Sequence, residues 1–231
     1  MPGLGFEVTG SFRVMSTTIR FADLVTGQPV VIPNEIHHRN ETLACAGDPE
    51  ITLLAGRQTG PWGMGARLGF TVPVGSTVVN PFMLGREGLP HEHFQFGTGT
   101  VDPIAAASIS HPFARAVVSV IGRARVPFYA NGHGYQAGRV FGATLIAGHP
   151  LWGTWRTQLG ADLQREDAET WGGTVETEGN LGRTDLRLLA GLSRMIPGRG
   201  TFALHVQLPL VTRSIGQQVR YPPSIAFDWV R

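Results

Sequence analysis

Apolar and polar residues alternate strictly along "PWGMGARLGFTVP", residues 61 to 73: Trp62, Met64, Ala66, Leu68, Phe70 and Val72 fall on one parity, and Gly63, Gly65, Arg67, Gly69 and Thr71 on the other. Side chains of an extended strand point alternately to opposite sides, so the run predicts a β-strand with two unlike faces. The period recurs. Residues 4 to 14 set Leu4, Phe6, Val8, Phe12 and Val14 against Glu7, Thr9, Ser11 and Arg13. Residues 151 to 165, 183 to 194, 201 to 211 and 224 to 229 repeat it, and weaker versions cover 49 to 57, 101 to 110, 114 to 127 and 135 to 148. These runs make ten strands, and no stretch keeps a helical apolar period, so the expected fold is all-β.

Alternation fits a soluble barrel or sandwich as well as a membrane barrel, and other features separate the two. Soluble strands cluster near ~5 to 6 residues, whereas a tilted membrane strand needs about 9 to 11, and these runs are mostly ten to fourteen residues long. The connections alternate long and short, as expected of a barrel with short periplasmic turns and longer outer loops. Trp62, Trp152, Trp155 and Trp229 then fall near the periplasmic ends, and Phe128, Tyr129, Tyr135 and Tyr221 near the outer ends, as two interfacial belts. The expected fold is one antiparallel up-and-down transmembrane β-barrel of about ten strands over residues 1 to 231, with Leu68 and Phe70 in lipid and Arg67 in the lumen. The reverse assignment would place Arg67 and Arg187 in hydrocarbon, at roughly 2 to 4 kcal/mol for an Arg near the midplane.

Composition narrows the function classes. The formal charge is +2, and its basic side is entirely Arg, since no Lys occurs. The arginines are scattered singly through strands, which excludes a clustered nucleic-acid footprint. The single Cys45 allows no internal disulfide, and no apolar run is long enough for a transmembrane helix. The opening "MPGLGFEVTG" lacks the pattern of a signal peptide, so an export signal is expected to lie outside this sequence.

Six stretches, "GDPEITLLAGR" (47 to 57), "GARLGFTVPVG", "FQFGTGTVDP" (94 to 103), "EGNLGRTDLRLLAGLSR" (178 to 194), "HVQLPL" and "YPPSIAFDW", make the chain similar to bacterial outer-membrane barrels of the MetA-pathway-of-phenol-degradation, transporter-like type. The resemblance spans about residues 45 to 231 and is most specific at GTGxxDP. It implies a Gram-negative outer membrane, delivery by the barrel-assembly machinery, and passage of small, often hydrophobic or aromatic, compounds. Members often have about twelve strands, which keeps a shortened twelve-stranded barrel open beside the ten read from the pattern.

Register places Glu7, Arg13, Arg67, Arg123, Arg125, Arg156, Asp162, Arg183, Asp185, Arg187, His205 and Asp228 on the lumen face. Arginines outnumber acids there, which suits a porin-like passage favouring small anions; mutual pairing would instead plug it, leaving a structural or adhesive barrel acting through its outer loops. A soluble β-barrel binding a small ligand is the remaining alternative. His37, His38, His91, His93 and His133 fall in outer loops, and the HxH of His91 and His93 is a weak Zn or Cu candidate with Asp48 or Glu50 nearby. Ser119 or Ser193 with His205 and Asp185 would be the parts of a hydrolase, but there is no GxSxG elbow and no HExxH. The expected activity is therefore non-enzymatic and cofactor-free, with a lipid bilayer and a small-molecule solute as partners. In "GTGTVDP", Gly97 and Gly99 read as a loop folding over the barrel mouth, with Asp102 before Pro103 starting a strand.

Overall fold

The computed structural model describes residues 3–33, 35–36, 40–216 and 222–230. His37, His38 and Tyr221 lie outside the described residues.

Ten strands form one antiparallel sheet in which every strand lies beside its predecessor. They are β1 (Gly3–Thr9), β2 (Glu50–Thr59), β3 (Trp62–Thr71), β4 (Pro103–Phe113), β5 (Ala116–Arg125), β6 (Val140–Pro150), β7 (Trp155–Glu166), β8 (Arg183–Ile196), β9 (Gly200–Ser214) and β10 (Ser224–Val230). This up-and-down order keeps all pairing between neighbours. The connections alternate as the spacing predicts: short turns at 60–61, 114–115, 151–154 and 197–199, and longer segments at 10–49, 72–102, 126–139, 167–182 and 215–223.

The two faces differ as the alternation requires. Along β3, Trp62, Met64, Leu68 and Phe70 are exposed, while Gly63, Gly65, Arg67 and Gly69 are shielded and Thr71 is buried. Leu53 is 67% exposed and Leu159 60%, so this molecule turns its large aliphatics outward and its polar side chains inward. A soluble core would bury them instead; the arrangement is that of a membrane barrel.

Aromatic rings gather at the short-turn end. Trp62 lies 4.3 Å from His111 between ring centroids, Trp152 lies 6.5 Å from Trp155, and Phe202 stacks on Trp229 at 5.9 Å. The Arg194 guanidinium sits 5.3 Å above the Trp155 ring, a cation–π contact suited to the membrane–water boundary. Trp152 belongs to the turn rather than to a strand, so strand parity does not govern it and it joins this belt.

Four expectations are corrected. The run at 4 to 14 is not one strand: β1 stops at Thr9, and Phe12–Thr17 pairs with Glu41–Ala46 in a separate hairpin. Arg13 therefore lies off the barrel sheet. The run at 135 to 148 also divides, with Tyr135–Gln136 pairing to Thr170–Trp171 before β6 begins at Val140. Tyr135 is consequently no belt residue; it is buried with Phe82, Ala137 and Trp171 in a small apolar cluster formed by the long-loop segments. Third, those segments hold a short helix, Pro81–Arg86, which is too brief to leave an apolar period; Asn80 caps it by accepting the N–H groups of Phe82 and Met83 at 3.0 and 3.2 Å. Fourth, strict alternation fails in β9. Arg187 pairs with Pro209 but Leu186 with Val211, a β-bulge beside a residue that has no N–H to donate. Thr212 is thereby turned from the lipid parity to the lumen.

Candidate functional site

The inward face encloses a cavity of about 980 Å³ lined mainly from β1 to β7, with Gln95, Phe96, Gly97 and Thr98 of the 72–102 segment reaching into it. Small side chains leave this space. Gly63 and Gly65 of β3 face Ser110 and Ser108 of β4, and a Cβ on either glycine would lie 2.4 or 2.6 Å from the opposing hydroxyl.

The intruding segment is fastened by Asp48. Its carboxylate accepts the Gly75 N–H at 2.8 Å and the Thr98 N–H at 2.6 Å, with the Thr98 hydroxyl at 3.0 Å. Gly97 is required for close approach: a Cβ there would meet Gly75 Cα at 2.7 Å, whereas Gly99 is needed for its φ of +68°. Asp102 is fully buried and accepts the Thr100 hydroxyl at 2.6 Å, and its own N–H donates to Thr71 Oγ1 at 2.9 Å. The loop residues of "GTGTVDP" thus anchor the 72–102 segment to the end of β3.

Toward β5–β9 the inward face carries two charged clusters. Arg123 of β5 donates to both carboxylate oxygens of Asp162 on β7, at 2.7 and 3.1 Å, and also to Thr144 and Gln164. Arg187 of β8 reaches the same Asp162 from the other side and donates to Gln164 at 2.8 Å. Thr144 completes the carboxylate shell at 2.7 Å. Gly142 makes room, because a Cβ there would lie 2.7 Å from the Arg123 guanidinium carbon. In the second cluster Arg183 holds Asp185 through two bonds of 2.7 and 3.0 Å, and Thr212, delivered by the bulge, donates to the same carboxylate at 2.8 Å. Such bidentate, charge-assisted contacts satisfy groups that would otherwise be costly to bury.

Elsewhere the pairing is looser. Arg67 meets Glu7 at 3.0 Å with both side chains substantially exposed, and His205 Nε2 lies 3.0 Å from Asp228. Arg156 is exposed near the short-turn end of β7. Arg13, on the separate hairpin, is exposed and borders the cavity, as does Arg125.

The hydrolase parts are not assembled: Asp185 is bound to Arg183 and Thr212, while His205 is bound to Asp228. The His91 and His93 rings lie 5.2 Å apart between centroids, with His91 Nδ1 2.9 Å from the Leu89 carbonyl. Among the described residues no group of three or more His, Cys, Asp or Glu side chains could hold a metal ion. Asp48, expected near those histidines, is occupied by Gly75 and Thr98.

Sequence reasoning missed Thr212, Asp48 and the Trp171 cluster. Pro209 inside a strand was the available signal for the first; the others depend on loop paths that alternation does not encode. In the loop cluster Trp171 Nε1 donates to Glu169 at 3.2 Å, and burial pushes the Glu169 carboxyl above the usual carboxylate range.

No protein-family model matches the chain, and no curated protein matches it in sequence. Among solved structures it is similar to the COG4313 outer membrane channel from Pseudomonas putida F1, with a TM-score of 0.58 and 12% sequence identity over 80% of this chain and 65% of that one. The chain thus spans less than two thirds of that channel's length. The likeness is one of fold: an antiparallel, up-and-down outer-membrane β-barrel.

Proposed function

We propose that this chain is a single-domain bacterial outer-membrane channel giving passive passage to small molecules. The observation that carries the reading is a cavity of about 980 Å³ bounded by polar, small and some aliphatic residues inside a sheet whose outer face is apolar and exposed. A soluble ligand binder would have the opposite polarity of faces. The fold shared with an outer membrane channel supports the same reading. So does the resemblance of the sequence to the phenol-degradation-type barrels, which favours small hydrophobic or aromatic solutes in a Gram-negative outer membrane. Insertion would then require the barrel-assembly machinery and a lipid bilayer.

The paired arginines toward β5–β9 support a second reading, a plugged structural barrel acting through its outer loops. Reconstitution separates the two. A channel gives a detergent-dependent fold that shifts in gel mobility on boiling, and discrete single-channel openings in planar bilayers. The same heat-modifiable fold without any openings would mean the plugged barrel.

A further inference from the structure

We infer that Arg125 is the anion-binding residue of the lumen, and that the cavity takes small organic carboxylates whose apolar body rests on Ile104, Ile121 and Val140. The inference rests on the reading of the cavity as a solute site. It starts from how the inward arginines are used. Arg67 is paired with Glu7, Arg123 and Arg187 with Asp162, and Arg183 with Asp185. Their charge is already answered by the protein. Arg13 also borders the cavity, but it is exposed on the separate hairpin; Arg125 borders it from a barrel strand, no ion pair among the described residues includes it, and its buried Nε finds no acceptor.

Register explains why. Arg125 stands directly opposite Ile104 on β4 and Val140 on β6, so both cross-strand neighbours on its own face are aliphatic. Arg123, two residues away on the same strand, stands opposite Ala106 and Gly142, which let it lean across to Thr144 and Asp162. The acids near Arg125 are engaged elsewhere: Glu166 feels its charge but accepts from Asn180 Nδ2 at 2.8 Å, and Asp48 is bound to Gly75 and Thr98. Glu50 lines the cavity three strands away on β2.

A guanidinium with unfilled donors at a cavity wall is a receptor for an outside acceptor, and a carboxylate matches its fork. The surrounding surface selects the rest of the solute. Ile104, Ile121 and Val140 line the same cavity, so an apolar body beside the carboxylate gains contact that inorganic anions cannot make.

The test uses benzoate and its neutral counterpart benzyl alcohol, with binding to the full chain in detergent micelles read by titration calorimetry. Benzoate is expected to bind at least about tenfold more tightly than benzyl alcohol, and Arg125→Met to abolish the difference while Arg125→Lys keeps part of it. Equal affinity of the two compounds for the unaltered protein, or undiminished benzoate binding to Arg125→Met, would overturn the inference. Should Arg125→Met lose its heat-modifiable mobility, the benzoate-to-benzyl-alcohol comparison on the unaltered chain decides. Because calorimetry needs no open pore, benzoate binding without conductance would defeat the passage reading and leave the Arg125 site standing.

Discussion

The two sides of the lumen solve the same problem in opposite ways. From β5 to β9 the inward polar groups include long, charged side chains that satisfy one another across strands. From β1 to β4 the inward side chains are mostly small or uncharged, with one half-exposed ion pair between Glu7 and Arg67, and the cavity lies against them and against β5 to β7. The densest charge pairing therefore lies to one side of the cavity. Arginines counted along the sequence are a poor guide to the free charge of the lumen, because most of them are paired within the protein.

The largest expected break in this contrast is Asp162→Ala. It leaves Arg123 and Arg187 with two guanidinium groups and no carboxylate, and removing one partner of a buried pair costs about 3–5 kcal/mol. Urea unfolding in micelles, followed by loss of the folded gel band, measures it. Gly142→Ala attacks the same cluster through space rather than charge. The new Cβ would lie 2.7 Å from the Arg123 guanidinium carbon, so overpacking of about 1–3 kcal/mol is expected in the same assay. Glu7→Gln probes the open wall and should be nearly silent, at about 0–1 kcal/mol, because the pair it breaks is solvent-screened. A loss from Glu7→Gln equal to that from Asp162→Ala would erase the distinction between the walls.

The strands and their up-and-down order were legible in the sequence, and the partners of their inward side chains were not. Lipid on one side and water on the other impose a period of two on every spanning segment, which is why Leu68 and Arg67 could be assigned to opposite faces from their parity alone. The bond between Arg123 and Asp162 skips from β5 to β7, and alternation carries no information about which inward side chains meet two strands apart. Thr212 shows the limit of parity itself. A bulge at Pro209 shifts the count by one, and only then does the hydroxyl reach Asp185. The first run failed for a related reason: apolar alternation continues through Gly10 although the chain leaves the barrel sheet there for another hairpin. Asp48 gave no periodic signal because its partners, Gly75 and Thr98, lie in an irregular segment.

The cluster of Phe82, Tyr135, Ala137 and Trp171 has a consequence for cooperativity. These four side chains form a miniature core that belongs to no barrel strand. It can come apart without breaking any of the hydrogen bonds that hold the ten-stranded sheet together. Proteins open in units of this kind, each with its own free energy. The long-loop end of the molecule is in that sense a second folding unit, joined to the barrel by bonds such as Asn180 to Glu166 and Asp102 to Thr71.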